Sequence, residues 1–561
     1  MPQKLKDWGL LFLAAIVYLA GLQLDVMDVD SAQYASISRE MAESGHYLHV
    51  FQRGSDYLDK PPLLFWAAAT SFKLFGVHNW SFKLIPFIFA VISLLATYRI
   101  GRILYDAKTG RIASMILGTC QAYFLFTLDL RTDTLLTACS TIAIWQIMEF
   151  LYGENRRFNL ISGFVFIGLA MVAKGPLGLM VPMLALGSHF LINRNWQDIF
   201  RKEWIGGLFI TSLVLAPMVW GLYTQFDLHP EKAVMMPGPD GKQPRSDISG
   251  VHFYFWEQSF GRITGDNVWK DGSGPFFFVH TFLWAFMPWA LLAIAAFFWK
   301  LHREIKSLLH SSKAEFLTLG GFLIPFLVLS TSQFKLPHYI FPLFPFAALF
   351  TAQMLREVLE GDKLWSKRGI YFASLLTLLA VFLLSLVLLF YVFPISGPAT
   401  YIFPLLAVFS LVLLLRESPL KAIVRSLSLG AIAVNLVMNT HFYPLLLNYQ
   451  MGSQMADKAL ALGARPDNTA FLNSFSFSFD FYMKAAIPII GAATELGNEI
   501  RFVVTDAEGL NELKKSGREI VEKEELMTYP ITNLSVDFLS PETRPKALKA
   551  AYLVELGPPS K

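Results

Sequence analysis

Carboxylates and cations recur together at the ends of apolar runs in this chain. Asp28-Val29-Asp30 follows the first such run, and Asp59-Lys60-Pro61-Pro62 precedes a second. Asp129-Leu130-Arg131-Thr132-Asp133 places three ionisable groups within five positions. Lys174 stands in Ala173-Lys174-Gly175-Pro176, and Lys335 in Lys335-Leu336-Pro337-His338-Tyr339. An ionisable side chain at a bilayer centre costs about 2.5–3.5 kcal/mol, so such groups are kept for function or for mutual pairing. A carboxylate can take a proton from an acceptor hydroxyl, or favour the positive charge developing on a sugar ring as its leaving group departs. Several cations can hold a phosphate and stabilise it as a leaving group. Bland readings compete at each place. The two aspartates could be a solvated exit from a helix with Asp30 as its cap, Lys60 could snorkel, and Arg131 could pair with Asp129 or Asp133.

The elements that must position these groups are membrane helices. Of 561 residues, 54% are hydrophobic and only 16% charged, and the mean hydropathy is +0.45. Soluble domains average about 25% charged residues. Lys+Arg at 47 nearly cancel Asp+Glu at 43, which excludes a basic nucleic-acid binder. Cys120 and Cys139 lie in apolar runs and read as inert thiols. Windows long enough to span about 30 Å of hydrocarbon fall at 8–24, 84–105, 112–128, 133–151, 159–174, 176–192, 204–224, 276–299, 315–331, 337–355, 369–393, 398–415 and 421–440. About thirteen spans would put the termini on opposite sides. With the N-terminus cytoplasmic, every inner connection is basic: Lys108 and Arg111, Arg156 and Arg157, Arg303 and Lys306, and Lys421 and Arg425 are examples. The short outer connections hold only Arg131, Lys174 and Lys335. That asymmetry fixes the expected orientation and makes those three the exceptions to explain. The first span reads as an uncleaved anchor.

Residues 1–440 thus form a transmembrane domain with outer loops at 25–83 and 225–275, and residues 441–561 a small extracytoplasmic α/β domain. The latter has strand-like runs at 469–473, 500–505 and 551–556 and helix-like runs at about 452–463 and 508–518. Ser474 to Phe479 alternates with period two, as a strand burying phenylalanines would. Glu231 to Arg245 reads as a mobile outer loop.

The segments DVDSAQYASISREM, LDKPPLLFW, LRTDTLLT, AKGPLGLMVP, FWEQSFGR and FKLPHYIFPLFP, in this order and spacing, resemble the successive motifs of membrane glycosyltransferases of the C-type fold. The nearest likeness is to the bacterial aminoarabinose transferases that modify lipid A, then to the protein O-mannosyltransferases. The resemblance implies thirteen spans, an outer α/β domain and an inverting transfer from a polyprenyl-phosphate (undecaprenyl phosphate) sugar. It implies Asp30 as principal catalytic carboxylate, Asp28 as helper and Asp133 as a second aspartate of the cavity. Lys60 corresponds to the lysine on the donor phosphate, and Lys174, Arg262, Lys335 and Tyr339 to other cavity-lining or phosphate-binding positions; the residue reading adds Arg131. The relatives' Glu-Lys-Pro-Pro is Asp59-Lys60-Pro61-Pro62 here, and their metal-capable Glu-His pair is Gln258-Ser259. A zinc or magnesium site would then have to draw on Asp59, His252 or His280. Gln33 replaces an arginine of the relatives, which leaves the sugar open.

The expectation is an enzyme of the bacterial inner membrane, probed from its extracytoplasmic side by a glycolipid acceptor such as lipid A, with a protein acceptor as the alternative. It would work as a monomer among membrane lipids and bind no nucleic acid. A transporter of an anionic lipid-linked substrate is the rival class, but the sequence shows no internal repeat of the kind transporters carry.

Overall fold

The computed structural model describes residues 3–557 except 127, 239–240, 260, 262–271, 311–312, 362–363, 396–398 and 417. Among the described residues, seven helices are long and apolar enough to cross a membrane: Asn79–Leu104, Thr132–Tyr152, Arg156–Lys174, Trp196–Asp227, Pro337–Glu360, Ser366–Val392 and Pro419–Leu447. A bent pair, Phe277–Ala285 and Ala290–Leu309, makes up to eight. Shorter apolar helices cover Gly9–Leu22, Leu63–Phe75, Leu177–Ile192, Leu317–Ser330 and Tyr401–Arg416. This is a polytopic helical membrane protein.

Burial ranks the helices. The most apolar stretch of Pro337–Glu360 is 94% buried and that of Thr132–Tyr152 is 83% buried, whereas Trp196–Asp227 reaches 28%. The first two are therefore the centre of the bundle, and the third presents Ile205, Phe209 and Leu213 outward, as a lipid-facing surface requires.

Two expected spans are broken rather than continuous. The window 112–128 divides into Ala107–Gly118 and Gln121–Leu125, and 276–299 bends by 118° between Ala285 and Ala290. The breaks satisfy one another's polar groups: Gln121 N donates to Met287 O at 3.0 Å, and Trp289 Nε1 donates to Thr119 Oγ1 at 3.0 Å. Pro288 lacks a backbone N–H to continue a helix, and an unpaired backbone group in hydrocarbon would cost several kcal/mol.

Beyond the bundle, residues 451–556 carry a five-stranded sheet in the order 489–490, 469–472, 502–506, 549–556, 520–528. The first three strands are parallel, and the last two join antiparallel. The helices Met451–Ala461 and Ala507–Lys515 occupy the expected runs. The alternating segment differs: Ser476 caps a helix, Phe477–Tyr482, by accepting from Phe479 N. Phe477 and Phe481, one turn apart, enter the core of the first loop, while Phe479 enters that of the sheet. Period two and a helix that is apolar on two faces look alike in so short a run. Residues 234–238 and 241–245, expected as loop, pair antiparallel.

Candidate active site

The helix Asp30–Ser44 starts at Asp30 itself. Val29 holds the cap position and no side chain caps the end, so Asp30 is not the capping residue that its sequence context suggests. Its carboxylate instead meets Arg131 Nη1. Arg131 also gives Nε and Nη2 to Asp129 Oδ2 at 3.0 and 2.8 Å. The arginine thus reaches a carboxylate 101 positions away in sequence. Burial pulls its pKa down to about 10, which leaves it cationic at neutral pH. With its side chain 40% exposed, Asp30 remains open to a reactant.

Asp133 and Lys174 are placed by helix polarity. Asp133 lies in the first turn of Thr132–Tyr152 and Lys174 is the last residue of Arg156–Lys174. A carboxylate is favoured at a helix N-terminus and a cation at a C-terminus. Packed together, these two helix ends bring Lys174 Nζ to 2.5 and 2.6 Å from the two oxygens of Asp133. His338 Nε2 stands 3.5 Å from Asp133 Oδ2, and the Tyr339 ring lies under the ammonium, 4.0 Å from its centroid. Asp133 is 1% exposed, so this pair is buried. Gly175 turns the chain with φ +73°, and a Cβ there would meet Ser259 Oγ at 2.8 Å. Glycine at that position lets the 254–259 segment close one wall.

Lys60 Nζ pairs with Asp59 Oδ2 at 2.7 Å, and Gln258 donates to the Asp59 carbonyl. One cavity collects Asp30, Lys60, Arg131, Asp133, Lys174 and Tyr339. Tyr34, Thr132, Gln258, Ser259, Ser332 and His338 complete its polar lining, while Leu177, Met180, Leu329 and Leu336 give it an apolar side. Leu177, Met180 and Leu336 fall within the segments AKGPLGLMVP and FKLPHYIFPLFP, whereas nothing in the sequence marks Leu329, since any membrane helix offers such a side chain.

The remaining expected residues lie elsewhere. Lys335 is 6% exposed and donates to Ser273 O at 3.0 Å instead of lining the cavity. Arg262 lies outside the described residues. Asp28 also does not line the cavity; its carboxylate accepts from Ser476 Oγ at 2.6 Å, Ser478 N at 3.0 Å and Ser478 Oγ at 2.6 Å. Burial raises the Asp28 pKa against those bonds. Its backbone N donates to Gln450 at 2.9 Å. Asp28 thus tethers the loop carrying Asp30 to the C-terminal region.

Asp59 and His252, two of the residues proposed for a metal, face other partners. Asp59 is paired with Lys60, the exposed His252 faces Glu257 at 3.5 Å, and Glu257 is held by Arg245. Among the described residues no group of three or more His, Cys, Asp or Glu is arranged to hold a metal ion.

The fold is that of a known class. Over 98% of both chains, with a TM-score of 0.70 and 17% identity, the protein superposes on the crystal structure of ArnT from Cupriavidus metallidurans in the apo state. The same enzyme bound to undecaprenyl phosphate matches over 97% of both chains with a TM-score of 0.69 and 15% identity. The architecture is therefore the polytopic C-type glycosyltransferase fold. In sequence, residues 59–220 match the family of dolichyl-phosphate-mannose-protein mannosyltransferases. The chain is also similar to the undecaprenyl phosphate-alpha-4-amino-4-deoxy-L-arabinose arabinosyl transferase of Edwardsiella ictaluri, at 26% identity over 374 residues, 64% of this chain and 62% of that protein. A second such transferase, from Sodalis glossinidius, is 26% identical over 351 residues, 62% of this chain and 58% of that one. The chain thus aligns with about three-fifths of the length of these curated relatives.

Proposed function

We propose that this protein is an inverting glycosyltransferase that moves a sugar from a polyprenyl-phosphate donor to an extracytoplasmic glycolipid of the lipid A type. The observation that carries this reading is the cavity in which Asp30, still partly exposed, faces Lys60, Arg131 and Lys174 beside an apolar wall. The cations receive the donor phosphate, each exchanging a carboxylate partner for a phosphate oxygen. The leucines and Met180 accept the start of the prenyl chain. Asp30 takes the proton of the acceptor hydroxyl as its oxygen bonds to the anomeric carbon. The bond from that carbon to the phosphate oxygen breaks, and polyprenyl phosphate leaves with the electron pair, stabilised by the same cations. Attack opposite the leaving group inverts the centre. The similarity to transferases named for undecaprenyl phosphate-linked aminoarabinose supports the donor class.

The proposal includes thirteen spans, with the bent pair and each shorter apolar helix outside the first loop crossing once and Ala107–Leu125 crossing as a broken span. It puts the N-terminus in the cytoplasm of a bacterial inner membrane, and the cavity and residues 441–561 outside as a separate α/β domain. The chain acts as a monomer. Mass spectrometry of envelope lipids and glycoproteins from cells with and without the gene tests the reading: a sugar missing from lipid A supports it. A glycan missing only from proteins assigns the acceptor class to the mannosyltransferase-like alternative, and no missing sugar refutes the reaction.

A further inference from the structure

A second cavity, of about 360 Å³, lies at the opposite end of the bundle. Its position follows from chain direction. The helix Ala107–Gly118 starts at this cavity and leads, through Gln121–Leu125, to Arg131; Pro419–Val437 starts there too and leads toward the C-terminal region. Four cations and four apolar side chains line it: Lys108, Arg111, Lys421 and Arg425, with Ile112, Met115, Leu420 and Val424. The apolar four are each less than 10% exposed, so the cavity has a dry wall on one side and charge on the other.

Among the described residues, two acidic groups beside it are already engaged. Glu360 pairs with Lys108 and Asp106 with Arg356, while Asp106 also accepts from the backbone of Lys108 and Thr109. Among the described residues, Arg111 and Lys421 form no ion pair, and Arg111 Nε is buried without a hydrogen-bond acceptor.. Arg111 is itself one of the lining residues, and an anion beside its guanidinium would supply an acceptor to a group that lacks its full set.

We propose that this cavity binds the headgroup of an anionic phospholipid, its phosphate between Arg111 and Lys421 and its glycerol and first methylenes on Ile112, Met115, Leu420 and Val424. The mixed lining selects a lipid over a free phosphate, because inorganic phosphate gains nothing from the apolar wall. Basic pockets between membrane helices recognise anionic headgroups in this manner. Neither the donor site nor the transfer reaction enters this inference, and the test is independent of both.

The test is native mass spectrometry of the full-length protein, titrated with phosphatidylglycerol or with zwitterionic phosphatidylethanolamine. The wild type retains one phosphatidylglycerol at concentrations where phosphatidylethanolamine is lost. Replacing Arg111 and Lys421 together by glutamine weakens that binding about 30-fold, equivalent to about 2 kcal/mol at about 1 kcal/mol per cation. The charge-preserving pair R111K and K421R retains it, which separates lost charge from lost folding. Equal retention of both lipids, unchanged binding in R111Q/K421Q, or full displacement by millimolar inorganic phosphate each overturns the assignment.

Discussion

Replacing Lys174 by methionine separates the pairing of buried charges from their use on a ligand. Asp133 is 1% exposed and receives both of its short contacts from Lys174. His338 Nε2 stands 3.5 Å away, and Arg131 also interacts with Asp133 electrostatically. Removing the ammonium leaves a buried carboxylate without its main partner, a loss of about 3–5 kcal/mol. Lys174 is 16% exposed and water reaches its side of the pair, so the lower end, about 3 kcal/mol, is expected. Neutralising both partners in D133N/K174M removes the uncompensated charge and should return most of that stability, since a buried pair replaced as a unit is near neutral. The assay is unfolding in detergent followed by tryptophan fluorescence, with donor turnover measured on the same preparations. The reasoning requires K174M to be destabilised, the double variant to be stable, and both to be inactive because the phosphate has lost a cation. A K174M protein as stable as wild type refutes the buried-pair argument. A stable double variant with normal turnover refutes the role of Lys174 in donor binding.

Further outcomes follow from the same geometry. Lys60→Ala raises the KM for the polyprenyl-phosphate donor about tenfold, equivalent to about 1.4 kcal/mol, and leaves the acceptor KM unchanged; a shift in acceptor KM alone contradicts the phosphate contact. The double variant S476A/S478A removes the hydroxyl donors to Asp28, at about 1.5–3 kcal/mol for each hydrogen bond to a charged group. Limited proteolysis should then cut faster between residues 441 and 561, and a wild-type digestion rate would remove the tether. Asp480, buried against Arg53, has its pKa pushed up to about 6 from 3.8 by burial. A carboxyl whose pKa is higher folded than unfolded contributes stability that is full below pH 4 and lost as pH rises to 6. Asp480→Asn therefore flattens the slope of stability between pH 4 and 6, and an unaltered slope counts against it.

The cavity was legible in the sequence because its residues break rules of their surroundings. Arg131 and Lys174 oppose the charge bias of their connections, and Asp133 sits inside an apolar run, so each is a conspicuous cost. The structure brings all three together with Asp30 and Lys60. The contacts of Asp28 are hidden for the opposite reason: its hydroxyl partners, Ser476 and Ser478, lie about 450 positions away, and no local pattern marks a tertiary acceptor. The same holds for Asp30, a good cap by type whose carboxylate Arg131 takes instead. Hydropathy locates the broken spans at 112–128 and 276–299, but cannot show that Thr119 and Trp289 hold the two breaks against each other. Ser474 to Phe479 shows the limit of periodicity over six residues, since burial on two faces of a helix imitates a strand.

The most direct measurement is release of polyprenyl phosphate from a polyprenyl-phosphate-linked sugar, in the presence of lipid A, by purified wild-type and Asp30→Asn protein. Loss of a positioned general base lowers turnover about 10²–10⁴-fold. The asparagine is nearly isosteric and still accepts from Arg131, so folding and donor binding should persist. The account predicts wild-type release and loss of at least a hundredfold in Asp30→Asn with donor affinity unchanged. Equal rates in the two proteins would contradict it.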